Sequence, residues 1–176
     1  VRRVAVIGNA GAGKTTFATR LAARLEVAHV ELDALFHQPG WTPLPDTAFR
    51  AAVDRALPAD GGWVADGNYR AVREITWGRA DTIIWLDLPR RVVTARILRR
   101  SLRRVLLRTE LWNGNRERLR SLLSVRPARS VIAWSAYQHG VYRREYAGVT
   151  RDARWAHARF VRLRSAAAAD RWLRAG

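Results

Sequence analysis

Cysteine and methionine are absent from the 176 residues, and lysine occurs once, as Lys14. Without cysteine there is no disulfide framework and no thiolate metal site. Long hydrophobic runs are missing too: the most apolar stretches, 4–7 and 82–88, fall far short of the roughly 20 residues that cross a bilayer. The expectation is therefore no membrane span. The chain opens on a strand-like run and not on a cleavable apolar leader, so a cytoplasmic location is expected.

What is abundant is arginine. The formal net charge is +17, and every cation except Lys14 is arginine, alongside many alanines. Dense positive charge is the usual footprint of nucleic-acid binding. Here the one-sided choice of arginine has the form of a compositional bias, which favours solvated arginines and arginines that handle phosphate in a small-molecule site. At this length one compact domain covering 1–176 is expected, large enough to bury a core.

Residues 4–7 form a short β-branched run that ends at Gly8, the pattern of a buried parallel strand. Phe17, Leu21 and Leu25 recur at helical spacing, so a helix over 14–25 follows the glycine turn. Residues 29–32 read as a second strand. Residues 38–45 hold three of the six prolines and Gly40, so a long irregular loop is expected there. Asp46 is placed to cap a helix carrying Phe49, Val53 and Leu57 on one side. Further strands are expected at 63–65, 82–88 and 160–163, with helices at 69–77, about 90–107, 116–125, 130–146 and 166–173. Pro89 suits the start of the arginine-rich helix. Strands alternating with helices predict a parallel sheet covered on both faces.

The chemistry starts at Gly8-Asn9-Ala10-Gly11-Ala12-Gly13-Lys14-Thr15, which has the spacing of glycine, four residues, glycine, lysine and a hydroxyl. Glycines let successive N–H groups converge on a phosphate, and the helix start adds its positive end. Lys14 can bridge the terminal phosphates and Thr15 can ligate magnesium. Thr16 follows inside the same cradle. Strand before and helix after set this run apart from a surface turn.

Over most of its length the chain resembles nucleoside monophosphate kinases, adenylate kinase in particular. More closely it resembles the adenylate-kinase-like proteins labelled DNA topology modulation proteins, through Glu31-Leu32-Asp33-Ala34-Leu35 with Pro39-Gly40-Trp41, Val64-Ala65-Asp66-Gly67-Asn68-Tyr69, and Leu111-Trp112-Asn113-Gly114-Asn115. The resemblance implies a three-layer α/β/α fold with a five-stranded parallel sheet in the order 2-3-1-4-5. It also implies an acceptor-binding insert at about 33–60 and a short helical lid at about 108–126. Asp66, ending a strand in Asp-Gly with Arg70 beyond, takes the place of the acid that holds a magnesium-bound water. Arg70 then meets an acceptor phosphate or carboxylate, with Asn68 and Tyr69 beside it. Arg96 and Arg100 take the places of the arginines on adenine and on the transferring phosphate. Being four apart, they share a helix face. Ser165 falls where the family's adenine-contacting loop lies, and Arg108, Arg116, Arg118 and Arg120 fall in the lid.

The adenylate kinases' Ser/Thr-Gly-Asp signature after strand two is absent, and Asp33 stands there. A carboxylate at that point can accept a hydrogen bond from a substrate hydroxyl or act as its base; it can also simply cap the turn. Phe36 and Trp41 can wall an acceptor pocket or fill core, and His37, beside them, has no partner histidine at ligand spacing. The expected activity is transfer of the γ-phosphoryl group from ATP, with Mg2+, to a small-molecule or nucleotide acceptor. A nucleotide-dependent nucleic-acid binder and a simple nucleoside triphosphatase are the alternatives. The acceptor and the oligomeric state are not written in the sequence.

Overall fold

The computed structural model describes residues 1–107, 110–115, 131–149 and 152–175. Strand β1 (Arg3–Gly8) is its axis, buried from Val4 onward as its β-branched run requires. It pairs in parallel with β3 (Trp63–Asp66) on one side and β4 (Thr82–Leu86) on the other. Beyond β3 lies β2 (Ala28–Glu31), and beyond β4 lies β5 (Arg159–Leu163), both parallel. The order β2-β3-β1-β4-β5 is the expected one.

Side chains alternate across a strand, and each face has its own cover. Ala5, Ile7, Trp63, Ala65, Ile83 and Trp85 pack with Phe49, Val53, Trp77 and Tyr146. Val4, Val6, Val64, Ile84 and Leu86 pack with Phe17, Leu21, Ile97 and Leu173. The first set of partners comes from α3 (Asp46–Ala56), α4 (Arg73–Arg79) and α6 (Val131–Val149). The second comes from α1 (Lys14–Leu25), α5 (Arg90–Leu106) and α7 (Ala166–Ala175). The result is the three-layer α/β/α architecture.

Two local expectations are corrected. The segment after β2 is not a long irregular loop. It holds a short helix, α2 (Leu32–Phe36), and a two-residue antiparallel ribbon that joins His37–Gln38 to Thr42–Pro43 around a 3-10 turn at Pro39–Trp41. The prolines sit where a ribbon this short tolerates them, at its edge and in its turn. Asp46 does not cap α3 either, for it is the first helical residue and Pro45 holds the cap position. Pro45 has a fixed φ and a free carbonyl, which accepts the Phe49 N–H at 2.8 Å. The expected helix at 116–125 and most of the expected lid lie outside the described residues. Among the described residues no helix is long and apolar enough to cross a membrane.

Candidate functional site

The glycine loop joins β1 to α1 at the carboxyl edge of the sheet. Gly11 has φ +78°, and a Cβ there would come within 2.5 Å of Ile97 Cγ1 and 2.7 Å of the Val93 carbonyl oxygen on α5. Only glycine allows that approach. Gly13 caps α1 at φ 90° with no side-chain bond to the helix start, which leaves the first-turn N–H groups facing outward for an anion.

The loop is clamped from outside. The Asn68 amide donates from Nδ2 to the Gly8 carbonyl at 2.6 Å and accepts the Gly8 N–H on Oδ1 at 3.1 Å. Buried Asn9 donates to the Ser135 carbonyl and hydroxyl at 2.8 and 2.9 Å, and accepts the Ala10 N–H at 3.0 Å. Ser135 in turn donates to the Ala10 carbonyl at 3.3 Å. From α5, Arg96 reaches the Ala12 carbonyl at 3.4 Å. Each bond removes a freedom the loop would otherwise lose on binding a ligand.

Lys14 curls over this cradle, half-buried, with Nζ 3.4 Å from the Asn9 carbonyl oxygen. Burial pulls its pKa below the usual lysine value, and Arg100 acts in the same direction, while Asp33, Asp66 and Glu31 act against them. Next to it the Thr15 hydroxyl lies 2.9 Å from Asp66 Oδ2 and 3.2 Å from Glu31 Oε1. The pairing of β2 with β3 puts Glu31 directly opposite Asp66, so both carboxylates emerge at the same edge. His29 holds Asp66 from behind, Nε2 to Oδ1 at 2.7 Å. Thr16, the next residue, is exposed on α1.

Among the described residues no three histidine, cysteine or acidic side chains could together hold a metal. A threonine hydroxyl flanked by two carboxylates instead fits Mg2+, which takes few protein oxygens and completes its shell with water and phosphate.

Asp33, at the start of α2, is close enough to Lys14 for its charge to act there, and it accepts the Tyr69 hydroxyl at 2.6 Å. Burial and the Asp33 charge raise the Tyr69 pKa, so it stays a donor. The run 66–69 thus meets the whole site. Asp66 bonds Thr15, Asn68 bonds Gly8 and Tyr69 bonds Asp33, while Gly67 lies so close to Leu32 that a Cβ would fall 2.8 Å from the leucine Cβ. Phe36 packs edge-on against Phe49 and tilted against Tyr69, at the margin of the core. Trp41 is 39% exposed and meets His37 and Trp112 edge-on.

Arg70 is exposed and paired with Glu145 at 2.7 Å, beside Arg73 on the same carboxylate. Ser165 accepts the Ala168 N–H at 3.1 Å and so caps α7. The lid arginines Arg108, Arg116, Arg118 and Arg120 lie outside the described residues. The sequence reading overlooked Glu31 as a partner of Thr15, His29 behind Asp66, Ser135 on the loop, and the 110–115 turn. In that turn Trp112 donates to Glu31 Oε2 at 2.8 Å and Asn113 to the His37 carbonyl at 2.6 Å. Asn115 donates to the Gln38 carbonyl at 3.0 Å and accepts the Trp41 N–H at 2.8 Å. Glu31 and the 111–115 run already stood out in the sequence; nothing there linked them.

No family model matches the sequence. Over 114 residues, 57% of this chain, it is 33% identical to a shikimate kinase of Nitrobacter winogradskyi, of whose length it spans 53%, about half. A crystal structure of shikimate kinase from Bacteroides thetaiotaomicron superposes with a TM-score of 0.58 and 14% identity, covering 99% of this chain and 95% of the other. Shikimate kinase from Acinetobacter baumannii, solved with shikimate, gives 0.54 and 16%, covering 99% and 90%. The chain therefore shares the three-layer fold of these two structures.

Proposed function

We propose that this chain is an ATP-dependent phosphotransferase that acts on a hydroxyl group of a small molecule. One observation supports the reading: near a clamped phosphate loop with Lys14 and Thr15 stands a carboxylate, Asp33, close enough for its charge to act on Lys14 and bonded to Tyr69. A triphosphatase needs no such group on the acceptor side.

In this reading the loop N–H groups and Lys14 hold the β- and γ-phosphates, and Thr15, Asp66 and Glu31 hold Mg2+ directly or through its waters. Bound there, the metal would neutralise charge on the phosphates. Arg96, beside the loop, serves the nucleotide, and Arg100, close enough to Lys14 to act on its charge, serves the transferring phosphate. Asp33 orients the acceptor hydroxyl and takes its proton as that oxygen bonds to the γ-phosphorus and ADP leaves. Positioning and charge neutralisation supply most of the acceleration.

The acceptor is read from Asp33, which suits a hydroxyl better than the phosphate of a nucleoside monophosphate. Shikimate, named in the relative and in one neighbour, joins the acceptors to be tried. The likeness to DNA topology modulation proteins is a matter of lineage, and the kinase reading does not depend on it. The test is acceptor-stimulated ADP formation from Mg-ATP across shikimate, other hydroxylated metabolites, sugar acids and nucleoside monophosphates, with the product weighed by mass spectrometry. Stimulation by a hydroxylated acceptor, with a phosphorylated product, is expected. ADP release that no acceptor increases would leave a bare triphosphatase, and a hit confined to monophosphates would displace Asp33 from its role.

A further inference from the structure

Glu31 is the last residue of β2 and half-buried. A glutamate side chain in that setting has several rotamers, and ordering it costs conformational entropy. Its contact with the Thr15 hydroxyl does not hold it, because that hydroxyl has one proton and lies nearer Asp66, 2.9 Å against 3.2 Å. The firm contact of Glu31 is on its other oxygen, where the Trp112 indole N–H arrives at 2.8 Å.

Trp112 is itself well fixed. Its ring stacks on His37 with 5.9 Å between centroids and a 20° interplanar angle, and it meets Trp41 edge-on. Its carbonyl accepts both the Asn115 N–H, at 3.1 Å, and the Asn115 side-chain amide, at 2.9 Å. Asn113 and Gly114 are both left-handed, at φ 55° and 77°, and the Leu111 N–H closes the turn on the Asn115 carbonyl at 2.7 Å. Asn115 is buried, and it ties the turn to Gln38 and Trp41. An indole N–H can only donate, and the carboxylate oxygen it meets accepts, so the contact fixes where that oxygen points.

We infer that Trp112 is a positioning residue for the donor half of the site: it aims the Glu31 carboxylate at Thr15 and thereby sets how tightly the chain takes up magnesium with nucleotide. Trp112 acts through Glu31, to which its indole donates. The inference rests on the kinase reading, and its test separates the two.

The experiment titrates Mg2+ against binding of a fluorescent, mant-labelled ADP to the purified chain, with no acceptor and no turnover. Trp112→Phe keeps the ring and removes the N–H. Its half-saturating Mg2+ concentration should rise about tenfold, the effect of one hydrogen bond to a charged group. Glu31→Asp keeps the charge but draws the carboxylate away from the indole, and a rise of similar size is expected. In a Glu31→Gln background Trp112→Phe should add almost nothing, since the two act as one unit. Asn115→Ala, which loosens the turn that holds Trp112, should raise the magnesium requirement in the same direction, and that rise too should vanish in the Glu31→Gln background, whereas a merely structural turn would shift it whatever stands at position 31. If the unsubstituted chain fails to bind the probe with magnesium, the kinase reading itself falls. If it binds and Trp112→Phe or Glu31→Asp keeps the original magnesium dependence, or the Trp112 and Glu31→Gln effects simply add, only the role of Trp112 is overturned.

Discussion

The two halves of the site are built by different means. The donor half is a loop between neighbouring elements, held on Gly8 by Asn68, on Asn9 and Ala10 by Ser135, and on Ala12 by Arg96. Its bonds are mostly to backbone, so its shape survives many side-chain changes. The acceptor half, from Asp33 to Trp41, is built of short elements only, a five-residue helix, one strand of a two-residue ribbon and a 3-10 turn. It borrows rigidity from Tyr69 and from the 110–115 turn through side-chain contacts that reach 36 to 77 residues along the chain. Both halves are held from afar, the donor loop across 60 to 126 positions; what the acceptor half lacks is a fixed spacing such as the glycine pattern of the loop, and that makes it the more changeable one.

Four substitutions probe that contrast. Lys14→Ala strikes the donor half at its charge, and turnover should fall by roughly 10³-fold, as when a main electrostatic group is deleted; steady-state ADP formation reads it. Asp33→Asn should lower turnover by about 10²-fold, the scale of general-base catalysis. Its affinity for Mg-nucleotide, measured by calorimetry, should stay close to the original, and a matching loss of nucleotide affinity would mean the halves are not separable. Asn68→Ala leaves both Gly8 groups without their partner and should cost about 1–3 kcal/mol, seen as a lower thermal midpoint and weaker nucleotide binding.

The smallest effect on activity is expected from Asp87→Asn. Asp87 is buried, which alone would raise its pKa, yet hydrogen bonds from Arg143 and Arg162 bring it below the usual carboxylate value. A group depressed on folding stabilises the protein above its unfolded value, near 3.9, and that stabilisation disappears as pH falls through the folded value. The variant should therefore be less stable at neutral pH by about 1–3 kcal/mol, and the gap should close in acid. Thermal denaturation across pH measures it, with both halves of the site left intact.

The alternation of strands and helices and the glycine loop were legible in the sequence because each follows from local pattern, a β-branched run or a fixed spacing; the sheet order and the place of Asp66 beside Thr15 came from the family resemblance. Where the reading stopped, the cause is tertiary. Glu31 meets Thr15 only because β2 and β3 lie in a particular register, and Ser135 reaches Asn9 across 126 positions. Neither relation leaves a spacing to read. Arg70 was expected to meet an acceptor anion, but Glu145, from a helix 75 residues on, lies on its guanidinium. The miss at Asp46 was smaller: proline and aspartate both mark helix starts, and the rigid ring took the outer place.

Lys14 also makes the chain chemically addressable. It is the only ε-amine among the 176 residues, and its depressed pKa leaves more of it in the uncharged, nucleophilic form than a surface lysine would have at the same pH. A reductively alkylating reagent thus has one side-chain target, and it lies over the phosphate cradle. Shielding of that single amine by an added anion would footprint occupancy of the loop directly, without any need to know what the acceptor is.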